Sequence, residues 1–147
     1  MNLRVDFYLL PVITLQESFK YASALAEKSY LSGQRTFMWT NSKEDAMQLN
    51  QSLWTFRDIS FVPHALFEHE MPELPPVLIG FENVVSSGDI LINLTPNIPD
   101  FFKKFNRVIE LVPDETQAVS NSRKNYRIYR ENQCELFSHN LKTPKSE

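Results

Sequence analysis

Glycine is scarce in this 147-residue chain: Gly33, Gly80 and Gly88 are the only three. Dinucleotide loops of the G-x-G-x-x-G type and phosphate loops need closely spaced glycines, so that the backbone can approach a phosphate. Neither pattern occurs, which excludes the familiar nucleotide-binding loops whatever the fold. A single cysteine, Cys134, rules out an internal disulfide and fits a reducing compartment. No apolar run approaches the roughly 18 residues that a membrane-spanning helix requires. The N-terminus lacks the basic region and long apolar stretch of a signal peptide. A cytoplasmic protein with no membrane contact is expected.

What is present suffices for a core without metal or disulfide staples. Hydrophobic residues make up 42% of the chain and aromatics 12%. The length is that of one domain, expected over residues 1–139 with a polar tail at 140–147. No cofactor is expected.

Charge is unevenly spread. Between Glu44 and Asp100 nine acidic residues face one base, Arg57. Between Phe101 and Arg130 seven bases (Lys103, Lys104, Arg107, Arg123, Lys124, Arg127, Arg130) outnumber three acids. The net charge of −3 argues against a grip on duplex DNA over many phosphates. A local basic surface for an acidic peptide or a short single strand remains open.

Periodicity alternates along the chain. Leu3–Leu10 reads as a strand that Pro11 stops. Thr14 and Glu17 have capping-box spacing ahead of a helix with Leu15, Phe19, Ala22 and Ala26 inward, which Gly33 ends. A strand at 35–40 precedes a helix capped by Asn41 or Ser42 and running to about Thr55, with Ala46, Leu49 and Leu53 inward. Residues 56–75 carry three prolines and break any long element. Strands follow at 77–81 and 90–94, the second apolar throughout, as a strand covered on both faces should be. Pro96–Lys104 reads as a short helical segment with Pro99 in its first turn. After a strand at 107–112, Asp114 is the expected cap of a last helix reaching Arg130. Cys134–Phe137 reads as a final strand. The pattern predicts a three-layer α/β/α domain with a mostly parallel central sheet, Rossmann-like without a dinucleotide-binding loop.

Catalytic signals are weak. His64, Glu68, His69 and Glu70 form the one His/carboxylate cluster, but the histidines are five apart, not the four of a zincin helix. Cys134 lacks an evident base, and His139 has no local partner. Asp6, Asp89 and Asp114 lie near strand ends, where α/β enzymes often keep catalytic groups, yet Asp89 and Asp114 also read as turn and cap residues.

The last helix says more. Arg123, Tyr126, Arg127 and Arg130 fall along one face by three- and four-residue steps. Arginine can hold a carboxylate bidentately and tyrosine offers a flat apolar surface, which suits an acidic peptide ending in an apolar residue. The same set could stack a base while meeting phosphates. Trp54, Phe56, Ile59, Phe61 and Val62 crowd five large apolar residues into nine positions near a helix end and loop. Such a cluster suits an aromatic anchor on a protein partner or a satellite core.

Several segments, in order, resemble the chi subunit family of bacterial DNA polymerase III holoenzyme. They are Phe7-Tyr8-Leu9-Leu10, Gly33-Gln34-Arg35, Leu53-Trp54-Thr55-Phe56, Ser60-Phe61-Val62-Pro63-His64, Gly88-Asp89-Ile90-Leu91-Ile92-Asn93-Leu94, Val112-Pro113 and Tyr126-Arg127-Ile128-Tyr129-Arg130. The resemblance implies a non-catalytic accessory subunit. Such a subunit pairs with psi, which tethers it to the clamp loader, and binds the acidic C-terminal tail of single-stranded DNA-binding protein (SSB). Some members also associate with a repair helicase through the psi-binding surface. Carried over, the psi contacts fall on Trp54 and Phe61. The tail contacts fall on Arg123, Tyr126 and Arg127, with Arg130 a neighbour. Arg127 stands where relatives often use lysine, and a further basic position falls on Val119. Either the tail site is weaker for that, or Lys124 supplies the missing charge from a different angle. The competing classes are a direct single-strand nucleic-acid binder and a small α/β hydrolase or transferase.

Overall fold

A computed structural model of the chain describes residues 3–57, 61–68 and 71–142. Among the described residues the alternating pattern becomes seven strands: β1 (Arg4–Leu9), β2 (Thr36–Trp39), β3 (His64–Leu66), β4 (Val77–Gly80), β5 (Ile90–Asn93), β6 (Arg107–Val112) and β7 (Glu135–Asn140). Three helices accompany them: α1 (Leu15–Leu31), α2 (Lys43–Thr55) and α3 (Thr116–Glu131). The strands form one sheet in the order β3-β4-β2-β5-β6-β1-β7, and every pairing is parallel. Among the described residues no helix is long and apolar enough to cross a membrane.

Strand alternation divides the core between two faces. Met38, Val77, Ile79, Ile90, Ile92 and Ile109 pack under α1 and α2, against Phe19, Ala22, Ala46, Leu49 and Leu53. Phe7, Phe37, Leu78, Leu91 and Val108 face the other way, against Phe102, Phe105 and Tyr129 of α3. The result is the expected three-layer α/β/α arrangement. β5 is buried at every position, between β2 and β6, as its unbroken apolar sequence requires.

Local signals act as read. The Thr14 hydroxyl accepts from the Glu17 N–H and the Glu17 carboxylate accepts from the Thr14 N–H, which closes the capping box. Ser42 caps α2 by accepting from the Asp45 N–H. Gly33 takes φ +79°, the left-handed conformation that ends α1.

Four expectations need correction. The helix at Pro96–Lys104 shrinks to a single 3-10 turn at Phe102–Lys104, with the Phe102 N–H donating to the Pro99 carbonyl. Phe102 and Phe105, both buried, lie three apart, and a 3-10 turn brings i and i+3 onto one side. The cap of α3 is Glu115, not Asp114: its carboxylate accepts from the Gln117 and Ala118 N–H groups. Residues 64–66, within the broken region, form the edge strand β3. The final strand begins at Glu135 and continues to Asn140, three residues past its expected end.

Candidate functional site

Trp54 stands on the last turn of α2 and is 53% exposed, and Phe61 is 60% exposed. Their rings lie 5.5 Å apart at 43°, and Trp54 meets His64 of β3 edge-on at 4.9 Å. The His64 Nδ1–H donates to the Val62 carbonyl. Of the neighbouring apolar residues, Val62 is fully buried and Phe56 half-buried under the α1–α2 layer. Ile59 lies outside the described residues. Met47, also exposed, is seven residues before Trp54 and so shares its stripe on α2. An i, i+7 search from Trp54 would have found it. The patch therefore consists of apolar rings open to solvent beside the β3 edge.

A different surface forms at the opposite edge. On α3, Asn125 and Tyr129 point inward and are buried, while Arg123, Lys124, Arg127 and Arg130 are exposed. Tyr126 is half-buried against Phe7, ring centroids 5.5 Å apart. A cleft of about 310 Å³ runs between this flank of α3 and the carboxyl ends of β1 and β6, with β7 beside them. Phe7, Leu9, Val112, Val119 and Tyr126 supply its apolar walls, and Arg123 and Lys142 its cations. At 100° per residue, Arg127 and Arg130 continue the Arg123–Tyr126 stripe, whereas Lys124 lies about 160° around the helix from Tyr126. Of the expected tail residues, Arg123 and Tyr126 line the cleft, and Lys124, Arg127 and Arg130 do not. Sequence reasoning missed Phe7 and Leu9, which strand alternation could have paired, and Lys142, for which no local signal exists.

The two surfaces occupy opposite ends of a seven-strand order. Six inter-strand steps of about 4.8 Å separate the edge strands by about 29 Å.

The remaining candidates serve the fold. Asp6 is fully buried and accepts from Arg4 Nε (2.9 Å), Arg107 Nε (2.7 Å) and His139 Nε2 (2.8 Å). Burial alone would raise its pKa, but the donors of Arg4, His139 and Arg107 outweigh it and hold the carboxylate at about 2. The Asp89 carboxylate accepts from the Arg35 N–H, and Asp114 faces the Lys142 ammonium at 3.5 Å. The three aspartates thus have separate partners. Burial pushes the Cys134 thiol up, against a weaker pull from Lys103, which disfavours a thiolate nucleophile. His69 and Glu70 lie outside the described residues. Among those described, no group of three His, Cys, Asp or Glu side chains could hold a metal ion.

A second cleft, of about 280 Å³, lies at the carboxyl ends of β5 and β6, where open α/β sheets usually bind ligands. Glu110 lines it, 5% exposed, accepting at Oε2 from Tyr129 Oη (2.6 Å) and Asn93 Nδ2 (3.0 Å). Burial raises its pKa to about 7 despite those donors. Among the described residues, no lysine or arginine lines this cleft. The Glu17 and Glu115 carboxylates occupy the free N–H groups at the starts of α1 and α3. The protein's own carboxylates thus stand where a bound phosphate would need backbone donors.

Comparison with known proteins points the same way along nearly the whole chain. A family model described as "DNA polymerase III chi subunit, HolC" matches residues 2–137. The DNA polymerase III subunit chi of Pseudomonas aeruginosa is 35% identical over 139 residues, covering 94% of this chain and 96% of that protein. Subunit chi of Escherichia coli is 32% identical over 84% of this chain and 88% of its own. That of Haemophilus influenzae is 29% identical over 94% of both. Among solved structures, Saccharomyces cerevisiae Dbp5 bound to RNA and ADP BeF3 matches with a TM-score of 0.65 at 12% identity. The match covers 95% of this chain and 42% of that one, a likeness of fold alone.

Proposed function

Because the chain belongs to the DNA polymerase III chi-subunit family, we propose that it bridges two protein partners during DNA replication. It is a non-catalytic accessory subunit of the polymerase. On one side it binds the psi subunit, and through psi the clamp loader, by burying Trp54 and Phe61. On the other it binds the acidic C-terminal tail of SSB along Arg123, Tyr126 and Arg127, with Arg130 and Lys124 adding charge. The same psi surface serves a repair helicase where one is present. It works in the bacterial cytoplasm, at the replicating nucleoid.

The observation that carries this reading is the placement of an exposed aromatic pair beside edge strand β3 and of a basic, apolar-walled cleft over β6, β1 and β7, toward the other end of the sheet. A bridge needs two patches that do not compete. The aromatic patch suits a desolvated protein interface, where Trp and Tyr dominate the binding energy. In the cleft, the tail's terminal phenylalanine packs beside Tyr126 while its acidic residues meet the arginines of the α3 stripe. Those arginines are exposed, so they speed encounter more than they hold the complex, and their effect fades with salt.

The test is a fluorescence-anisotropy titration with a labelled SSB C-terminal peptide and a control lacking the terminal phenylalanine. Saturable binding around the micromolar range, absent for the control, is expected. Folded protein that ignores the intact peptide at low salt would sink the SSB half of the reading. The Arg/Tyr stripe also fits direct single-strand binding, and tight binding of a bare oligonucleotide at moderate salt would favour that alternative.

A further inference from the structure

Two clefts meet beside the α3 flank, and both are lined by Val119, Arg123 and Lys142. One is the apolar-walled cleft already described. The other opens toward Asp114, Glu115, Thr116 and Ser120, and is lined mostly by polar side chains. Val119 contributes wall and no charge. The cations where the two join therefore come from two different elements: Arg123 on α3, and Lys142 just past β7.

Lys142 is held in place by its backbone. The Leu141 N–H donates to the Leu9 carbonyl (2.9 Å), and the Lys142 N–H donates to Asn140 Oδ1 (2.9 Å). Its side chain is one-third exposed, so it is already partly desolvated before any ligand arrives. Among the described residues its ion pair is the long 3.5 Å contact to Asp114, whose carboxylate is mostly in water and easily exchanged for another anion.

Resting on the SSB-tail reading above, we propose that Lys142 and Arg123 together hold the terminal carboxylate of an acidic peptide whose last side chain is aromatic. The aromatic ring fills the cleft against Phe7, Leu9 and Tyr126. The carboxylate then sits at the cleft mouth, where Lys142 leaves Asp114 to meet it. Lys142 thus makes the site selective for a free C-terminus over an internal acidic segment of like composition.

The experiment compares a fluorescein-labelled acidic peptide ending in phenylalanine, as the free acid and as the C-terminal amide, on the wild-type chain and single variants. Wild type is expected to prefer the acid by about tenfold, a charge-assisted contact's worth. Lys142→Ala should cut that ratio to about two- to threefold, with Lys142→Arg restoring most of it, while Lys20→Ala, on the exposed face of α1, leaves it unchanged. Asp114→Asn, by releasing Lys142, should tighten acid binding about twofold. Thermal melts confirm that the variants fold. If wild type binds but Lys142→Ala keeps the full acid preference, this inference fails and the SSB reading stands. If wild type binds neither peptide, both fail.

Discussion

Asp6 and His139 lie 133 residues apart in sequence and 2.8 Å apart in space, joined across the neighbouring strands β1 and β7. Together with Arg4 and Arg107 they form a charged knot on the sheet, and His139 stacks on Tyr8 at 4.4 Å. A buried carboxylate with three donors tolerates loss of its charge poorly.

Asp6→Asn is therefore expected to destabilise the protein by about 2 kcal/mol. That is less than for a fully buried pair, because Arg4 and His139 are partly exposed. The folded carboxylate titrates near 2, below its usual 3.8. Its stabilisation is full above pH 3.8 and is lost as pH falls toward 2. Urea titrations at pH 5, 3.5 and 2.5 should show the wild type losing this contribution and Asp6→Asn having none to lose.

Glu110 gives the opposite slope. Its folded pKa is about 7 against a usual 4.5, so the folded state holds the proton more tightly. Stability should fall as pH rises from 4.5 to about 7 and then level off. Glu110→Gln keeps an acceptor for Tyr129 and Asn93, and should remove that slope. Denaturant midpoints at pH 5 and pH 8 test this: the variant should gain on the wild type only at the higher pH.

Trp54→Ala should weaken psi binding at least tenfold and leave SSB-tail binding unchanged, and Arg127→Ala should do the reverse. Calorimetric titration with each partner separates the two effects. Equal loss of both activities in a folded variant would overturn the two-site arrangement.

Gly80→Ala should cost about 1–3 kcal/mol, an overpacking penalty. A methyl there would run into the Phe37 ring, which is itself packed face to face with Phe105. Thermal denaturation would reveal it, and a variant as stable as wild type would mean that Phe37 can turn aside.

Much of the architecture was legible because its signals are local. Thr14 with Glu17, Ser42, Gly33 and the unbroken run of β5 each act within a few residues. What sequence reasoning missed depends on distance. Asp114 looked like a cap, but its N–H is drawn to the Val12 carbonyl and its carboxylate to Lys142, so Glu115 takes the cap. The three-residue β3 is too short for periodicity to show. In the candidate site the residues on one helix were readable from spacing. Phe7, Leu9 and Lys142 join them only through the order of strands, which no local pattern carries.

That strand order also has a consequence for the chain's birth. β1 is translated first, yet its only neighbours in the sheet are β6 and β7. Its apolar side chains must wait until residues 107–140 have left the ribosome, and such long-range closure is slow. The cleft beside Tyr126 is walled by β1, β6 and α3 with Lys142 beyond β7, so it is among the last features to assemble. A stalled or truncated nascent chain would lack it, and only a finished molecule would carry both surfaces.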